Sequence, residues 1–565
     1  MKANTNLRET IEKSFEISSA YLLDSAKQQV AQEKGNLLGR LQSDEYIKVP
    51  IVGDFSAGKS SLVNCLMRDR GGKDETLLPV DITPETAIAY EIYAAGALQQ
   101  EGYPQEEMIV FYREDKEVSK GNLDLLNTFQ SRPGDIAKVY VKSPAIAGLQ
   151  RRGIVLVDMP GIDSGVQEHN DAILHYIDKG TAFVLLMDAG QGALRTSTLA
   201  FLKELHQYNL RPAILVSKRE KKPAAELKEI MEYVGIQARG AIGSNVYVGS
   251  VSAHEHQIED FVKYLEGIQV DELVRERMVP QIVAFINKQI TYMNMQADLL
   301  GANIQNAEKK ISELETKKTE MEGKLKNNIA ADSPEKSTQD ILDAVKKELM
   351  LHTEELARML VRREKSDDIK ACILNYIRPV VVNAFKEEGR QYAEALNTVV
   401  DEVSHSLQDA LDVDKGLVEG IIDDFHDEIV GGLAAAAEML LKMPHVFAKI
   451  LGWVLRILGA VIPDLLKKIF GKSEEELVAE VEEKIRQEVV RQIVEGMRDH
   501  IYTQVLAQQE RIRKHLQTNM ERSISNMQES VRLSSENAMG KTELENQLSQ
   551  LKAAVAQLAQ LKAAL

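Results

Sequence analysis

The chain has 565 residues, 44% of them hydrophobic and 27% charged, so it is too long for one core and reads as two or three soluble globular domains. Aromatics at 5%, a single Trp and 14 Pro suit a helix-rich chain. A formal net charge of -17 argues against nucleic acid as the main partner, and only two cysteines, Cys65 and Cys372, exclude a disulfide framework and point to a reducing compartment.

In chain order, Met1 to Glu12 lacks the apolar core of a signal peptide. Residues 4 to 44 read as one helix, with Ile11, Phe15, Leu22, Val30, Leu37 and Leu41 near helical spacing. Its apolar partner is expected among later helices and not in a sheet. From about 45 to 265, short β-branched runs alternate with helical patterns, which marks an α/β sheet. The expected strands are Ile47–Val52, Ala87–Tyr93, Met108–Tyr112, Val139–Lys142, Gly153–Val157, Ala182–Met187, Ala213–Val216 and Val246–Ser250.

Between the first strand and the helix opening at Ser61 lies Gly53-Asp54-Phe55-Ser56-Ala57-Gly58-Lys59-Ser60, the G-x-x-x-x-G-K-S spacing of a phosphate-binding loop. Its glycines let backbone N–H groups turn inward, and the following helix adds the positive end of its dipole. Lys59 is then expected to reach the β- and γ-phosphates, and Ser60 to ligate Mg2+. Asp158-Met159-Pro160-Gly161 follows the strand Gly153–Val157. An acidic strand end holds Mg2+ through water, and the Gly161 N–H meets a γ-phosphate. Between these motifs, Leu77-Leu78-Pro79-Val80-Asp81-Ile82-Thr83-Pro84-Glu85-Thr86-Ala87 offers two threonines before a strand. Thr86, which abuts that strand, is the first choice to complete the metal shell, and Thr83 the second.

From about 266 onward strands vanish. Ile311, Leu314, Met321 and Leu325 follow a heptad-like seam, Asn327–Ser337 breaks it, and helical pattern resumes over 338–411 and 473–535. Leu544, Leu548, Leu551, Val555, Leu558 and Leu565 form a C-terminal coiled-coil stripe suited to packing or self-association. Residues 431–471 differ from the rest. Lys442, Lys449 and Arg456 recur every seven residues, a drift of about 20° per step on a helix, while the remaining surface is apolar and carries Trp453. A basic stripe, an apolar face and an interfacial Trp are what a surface-lying membrane helix requires. The alternative is a buried bundle helix whose basic stripe pairs with Asp423, Asp424, Asp427 and Glu428. No run of eighteen or so uncharged apolar residues occurs, so a spanning helix is not expected.

The phosphate loop, the Leu-Pro…Thr-Pro-Glu-Thr-Ala segment, Asp158-Met159-Pro160-Gly161 and the long helical remainder together resemble bacterial dynamin-like GTPases. In layout the chain is most similar to LeoA-type proteins. The resemblance implies an α/β P-loop GTPase domain, with a mostly parallel sheet and helices on both faces, joined to a long all-α bundle or stalk. The implied division is an N-terminal helix packing on the bundle (1–44), a GTPase domain (45–265), a neck and stalk (266–430), a candidate membrane-contact tip (431–471) and returning helices (472–565). It further implies GTP as substrate, Mg2+ as cofactor, Ser56 and Thr86 beside Lys59 in catalysis, and Ser61 in the nucleotide shell. Self-association through the GTPase domain and stalk, an additional dynamin-like subunit, and a cytoplasmic, peripherally membrane-bound location follow from the same likeness.

One element departs from the family pattern. Where N/T-K-x-D is expected after Ala213–Val216, the chain reads Ser217-Lys218-Arg219-Glu220. Lys218 still fits along a base plane, but Glu220 is one methylene longer than Asp, so its contact with guanine must shift. Ser252 in Val251-Ser252-Ala253 resembles the final guanine loop. GTP is therefore favoured, and ATP stays open.

Overall fold

The computed structural model describes residues 2–43, 46–53, 56–67, 77–79, 88–97, 103–113, 116–132, 135–160, 182–208, 210–301, 307–327, 334–411, 473–536 and 541–565, with Tyr176, Arg456 and Ala460. Two helices open the chain, α1 (Lys2–Ser19) and α2 (Asp24–Ser43), where one was expected. The break falls at Ala20–Leu23. Ser18, fully buried, gives its carbonyl to the N–H groups of both Tyr21 and Leu22 and its hydroxyl to Gln289 Oε1 at 2.7 Å. That side-chain bond to a distant helix is a tertiary demand invisible in the apolar spacing.

Then follow β1 (Ile47–Gly53), α3 (Lys59–Leu66), β2 (Ala89–Ala94), β3 (Met108–Arg113), β4 (Lys116–Gly121), α4 (Leu125–Thr128), β5 (Ile136–Val141), α5 (Pro144–Arg151), β6 (Ile154–Asp158) and β7 (Ala182–Asp188). Next come α6 (Thr196–Gln207), β8 (Arg211–Ser217), α7 (Ala224–Ile242), β9 (Tyr247–Ser250) and α8 (Glu259–Gly267). The nine strands form one sheet in the order β4-β3-β5-β2-β6-β1-β7-β8-β9. β1 runs parallel to β6 and β7, β7 to β8, β8 to β9 and β2 to β5, whereas β2 is antiparallel to β6, and β3 to β4 and β5. Sequence reading missed β4, whose Lys-Glu-Val-Ser-Lys-Gly carries no apolar alternation because the strand is an exposed edge. It also placed β5 three residues late.

β1, β6 and β7 are buried along their whole length, as expected of strands with both faces covered. One face packs into a core with Leu62, Ile146, Phe261 and Val274, and this core continues without a break into the helices beyond the sheet. The other packs on Phe201, Leu205, Leu227 and Val234 of α6 and α7.

Beyond the sheet the described residues are helical: α9 (Val270–Gly301), α10 (Ala307–Asn327), α11 (Pro334–Leu351), α12 (Thr353–Val361), α13 (Ser366–Leu411), α14 (Glu474–Lys484), α15 (Val490–Glu536) and α16 (Lys541–Ala563). A π-helical turn, Ile485–Val489, joins α14 to α15. The expected 338–411 helix is thus three, beginning at Pro334, which suits a first helical turn because its missing N–H is not needed there. α1 and α2 pack on α9, and α16 packs on α9 and α1. Ile11, Leu22, Val30, Leu37 and Leu41 are buried in that seam with Ile282, Phe285, Met293, Leu551 and Leu558.

Candidate nucleotide site

The site gathers at the ends of β1, β6, β7 and β8. Gly53 closes β1 under tight constraint: a Cβ there would lie 2.3 Å from the Leu186 carbonyl oxygen of β7, so no side chain fits. Gly58 has φ +87, the left-handed conformation that glycine adopts without cost, and turns the loop into the first turn of α3. The Lys59 side chain, 6% exposed, folds back to donate to the Gly53 carbonyl at 3.0 Å. Ser56 is exposed, Ala57 fully buried, and Ser60 and Ser61 are half-buried at the start of α3. The described part of the loop, Ser56 to Gly58, thus leads directly into the N-terminus of α3.

Asp158 ends β6 beside it. Its carboxylate is buried, bonded to the Ser60 hydroxyl and close to Lys59, and its Oδ1 has no protein partner. Burial pushes its pKa up to about 6, against the downward pull of Ser60 and Lys59. A buried, orphaned carboxylate oxygen next to a helix-start serine fits Mg2+, which takes one or two protein oxygens and fills its remaining positions with phosphate and water. Asp158 and Ser60 are the residues that would hold it. Behind them, Asn64 of α3 fastens the Leu77-Leu78-Pro79 segment, donating to the Leu78 carbonyl at 2.9 Å and accepting its N–H at 2.8 Å. Sequence reading passed over Asn64.

The base-side element is tied to the same site. Lys218, at φ +53, donates to the Ser56 carbonyl at 2.6 Å and pairs with Asp188 at 3.0 Å. It therefore ties β8 to the phosphate loop. Ser217 is buried and spends its hydroxyl on the Met187 carbonyl, and the Ser252 hydroxyl accepts the Glu255 N–H. Glu220 lies exposed on the short turn Arg219–Lys221. Asp188 was missed. It closes β7 as Asp158 closes β6, and an acid ending an apolar run was the available signal. It accepts from the Gly190 N–H, Lys218 and Lys221, which hold its pKa down despite burial.

Of the expected site residues, Asp54, Phe55, Thr83, Thr86 and Gly161 lie outside the described residues, as do Lys449 and Trp453. Arg456 is described as exposed and helical. Among the described residues, no helix is long and apolar enough to cross a membrane.

The chain is 22% identical over 350 residues to an uncharacterised protein in the xynA 3' region of Caldicellulosiruptor sp. (strain Rt8B.4), covering 56% of this chain and 82% of that one. It is 23% identical over 268 residues to the isoniazid-induced protein IniA of Mycobacterium tuberculosis, covering 46% of this chain and 39% of IniA. A solved structure described as an oligomerised bacterial dynamin pair, with a mechanism for long-range sensing and tethering of membranes, aligns over 98% of this chain and 95% of its own. Its identity is 12% and its TM-score 0.33. The model of the dynamin family matches residues 49–219, which span the phosphate loop, Asp158, Asp188 and Lys218. Over those residues, which hold most of the sheet and the whole candidate site up to β8, the chain is similar to the dynamin family.

Proposed function

We propose that the protein is a dynamin-like GTPase that hydrolyses GTP to GDP and phosphate and couples the change to its helical half, for membrane binding or remodelling. The observation that carries this reading is the constellation of Lys59, Ser60 and the orphaned Asp158 oxygen at the mouth of the phosphate loop, in a dynamin-family domain. Lys59 would swing from the Gly53 carbonyl to the β- and γ-phosphates. The N–H groups at the start of α3 would hold the phosphate oxygens in place. Mg2+ would supply charge neutralisation between the β- and γ-oxygens. Thr86, or Thr83, would complete the shell and orient water, and Gly161 would meet the γ-phosphate.

Without an arginine finger, small GTPases turn over at on the order of 10⁻⁴ per second. A second copy, or a further dynamin-like subunit, across the nucleotide face is therefore the expected accelerator. The 431–471 segment is proposed as the peripheral lipid contact, through Lys449, Trp453 and Arg456. Purified protein is assayed for phosphate release with and without anionic liposomes, beside Lys59→Ala and in a GTP–ATP competition. Loss of turnover in Lys59→Ala, with stimulation by lipid or protein concentration, supports the reading. Hydrolysis by that variant at the wild-type rate removes the site.

The exposure of Glu220 favours a second reading, a nucleotide-gated scaffold or ATPase that assembles a partner complex with little turnover. Turnover unmoved by lipid or concentration, or ATP competing equally with GTP, would select it.

A further inference from the structure

Among the described residues the nucleotide domain meets the helical half in two regions, the core it shares with α9 and a lateral contact on its other side. The first is continuous with the chain, where α8 runs into α9 and both share the core of the sheet. The other is lateral and lies far along the chain, where α6 docks on the first turns of α13. Ala200 of α6 joins the core formed by Cys372, Ile373 and Ile377 of α13 with Val489 and Ile493. Glu204, fully buried, receives the buried Arg378 in a bidentate pair, Nε to Oε1 and Nη2 to Oε2, both at 2.8 Å. Arg378 also bonds the Asn375 side chain, whose Nδ2 donates to the Ser197 carbonyl at 3.1 Å. Arg195 adds a looser contact to Asp368 at 3.7 Å.

A buried ion pair stabilises less than an apolar contact of similar volume, because both charges lose water, but it fixes register. Here the pair joins one helix of the nucleotide domain to the other half of the molecule. That helix is wired to the nucleotide site at its near end. The turn leading into α6 begins at Asp188, which holds Lys218 and Lys221, and Lys218 holds the Ser56 carbonyl of the phosphate loop. A shift of α6 would therefore move Asp188 and let Lys218 and the loop relax out of place.

We propose that Arg378 is a positioning residue for nucleotide binding, acting through Glu204 and α6 on Asp188, Lys218 and the phosphate loop. The inference rests on the nucleotide-binding reading above and assigns the route by which the helical half tunes that site. With α6 pinned, the loop is organised before ligand arrives, so release of the pin weakens binding. By linkage, nucleotide tightens the α6–α13 contact by the same factor, typically 5- to 150-fold for coupled sites.

Hydrogen exchange of the wild-type protein, with and without Mg2+ and a non-hydrolysable GTP analogue, tests this directly. We expect slowed exchange in α3 and residues 217–222, and also in α6 and residues 366–380 of α13. Protection of α3 and 217–222 with α13 unchanged overturns the inference and leaves the nucleotide reading intact. No protection anywhere overturns both. The double variant E204Q/R378M, which leaves no orphaned charge, should weaken analogue binding at least about fivefold while staying folded by circular dichroism. A folded double variant with wild-type affinity also overturns the inference.

Discussion

At the scale of single residues, the site rests on positions where one atom decides the outcome. Gly53→Ala would press a methyl against the Leu186 carbonyl, and overpacking of that kind costs about 1–3 kcal/mol. A lowered melting temperature is the expected result, and an unchanged one would mean that β1 and β7 yield more easily than their spacing implies. Gly58 faces open space instead, so a substitution there acts through backbone strain alone. Asp158→Asn keeps the shape and removes the charge beside the orphaned oxygen. We expect nucleotide retention by this variant to lose its dependence on Mg2+, read by titrating the metal against a fluorescent nucleotide. Retained dependence would shift the metal-binding role to other residues. These residues were legible because phosphate chemistry restricts which types can serve: glycines at the turns, a lysine, a hydroxyl and an acid at a strand end. Asp188 obeys the same rule but belongs to no short motif, and its role appears only when β7 and β8 lie side by side.

At the scale of elements, the joint between α11 and α12 carries a titratable cluster. His352 stacks on Tyr376 with ring centroids 3.7 Å apart, its Nε2 is 3.1 Å from Glu348 and its Nδ1 3.3 Å from Glu355. The Tyr376 hydroxyl donates to Glu355 at 2.7 Å. Burial alone would lower the His352 pKa, but the two carboxylates outweigh it and raise it. A raised histidine stabilises the fold fully below its unfolded value, about 6.5, and that contribution fades as pH climbs through the folded value. Glu355 is lowered, first by its bond to His352, so its own contribution fades only as pH falls below the ordinary carboxylate range. Melting temperature should therefore drop from pH 6 to 8.5 more steeply in the wild type than in His352→Gln, and parallel curves would refute the cluster's role. The π-turn Ile485–Val489 has no breaker residue to announce it, so sequence reading ran a single helix through it.

At the scale of the whole molecule, one hydrophobic core runs from β1 and β6 through α8 and α9 to α1, α2 and α16. Leu558, with no exposed surface, sits in the part of that core contributed by α16. Leu558→Ala should cost about 2–5 kcal/mol. Because the core is continuous, loss of helical circular dichroism and of exchange protection in β1 should shift together. A shift confined to the helices would show that the two halves unfold independently. The sheet that matches the dynamin family model is thus supported by helices that precede it and helices that follow it in the chain.

Periodicity and motif spacing determined by themselves that a strand–loop–helix with the spacing of a phosphate-binding loop lies in an α/β sheet and that a long helical region follows. Such local signals survive because helix period, strand burial and loop glycines are set by near neighbours. The pairing of distant charges was left to tertiary structure. Lys48 lies inside an apolar strand run and reaches Glu91 across β6 at 2.8 Å, while Tyr176 donates to the same carboxylate. Arg378 and Glu204, far apart in the chain, become a fully buried pair. A charge in sequence carries no mark of its partner, since a buried ion is tolerable only where another chain segment brings the opposite sign within bonding distance.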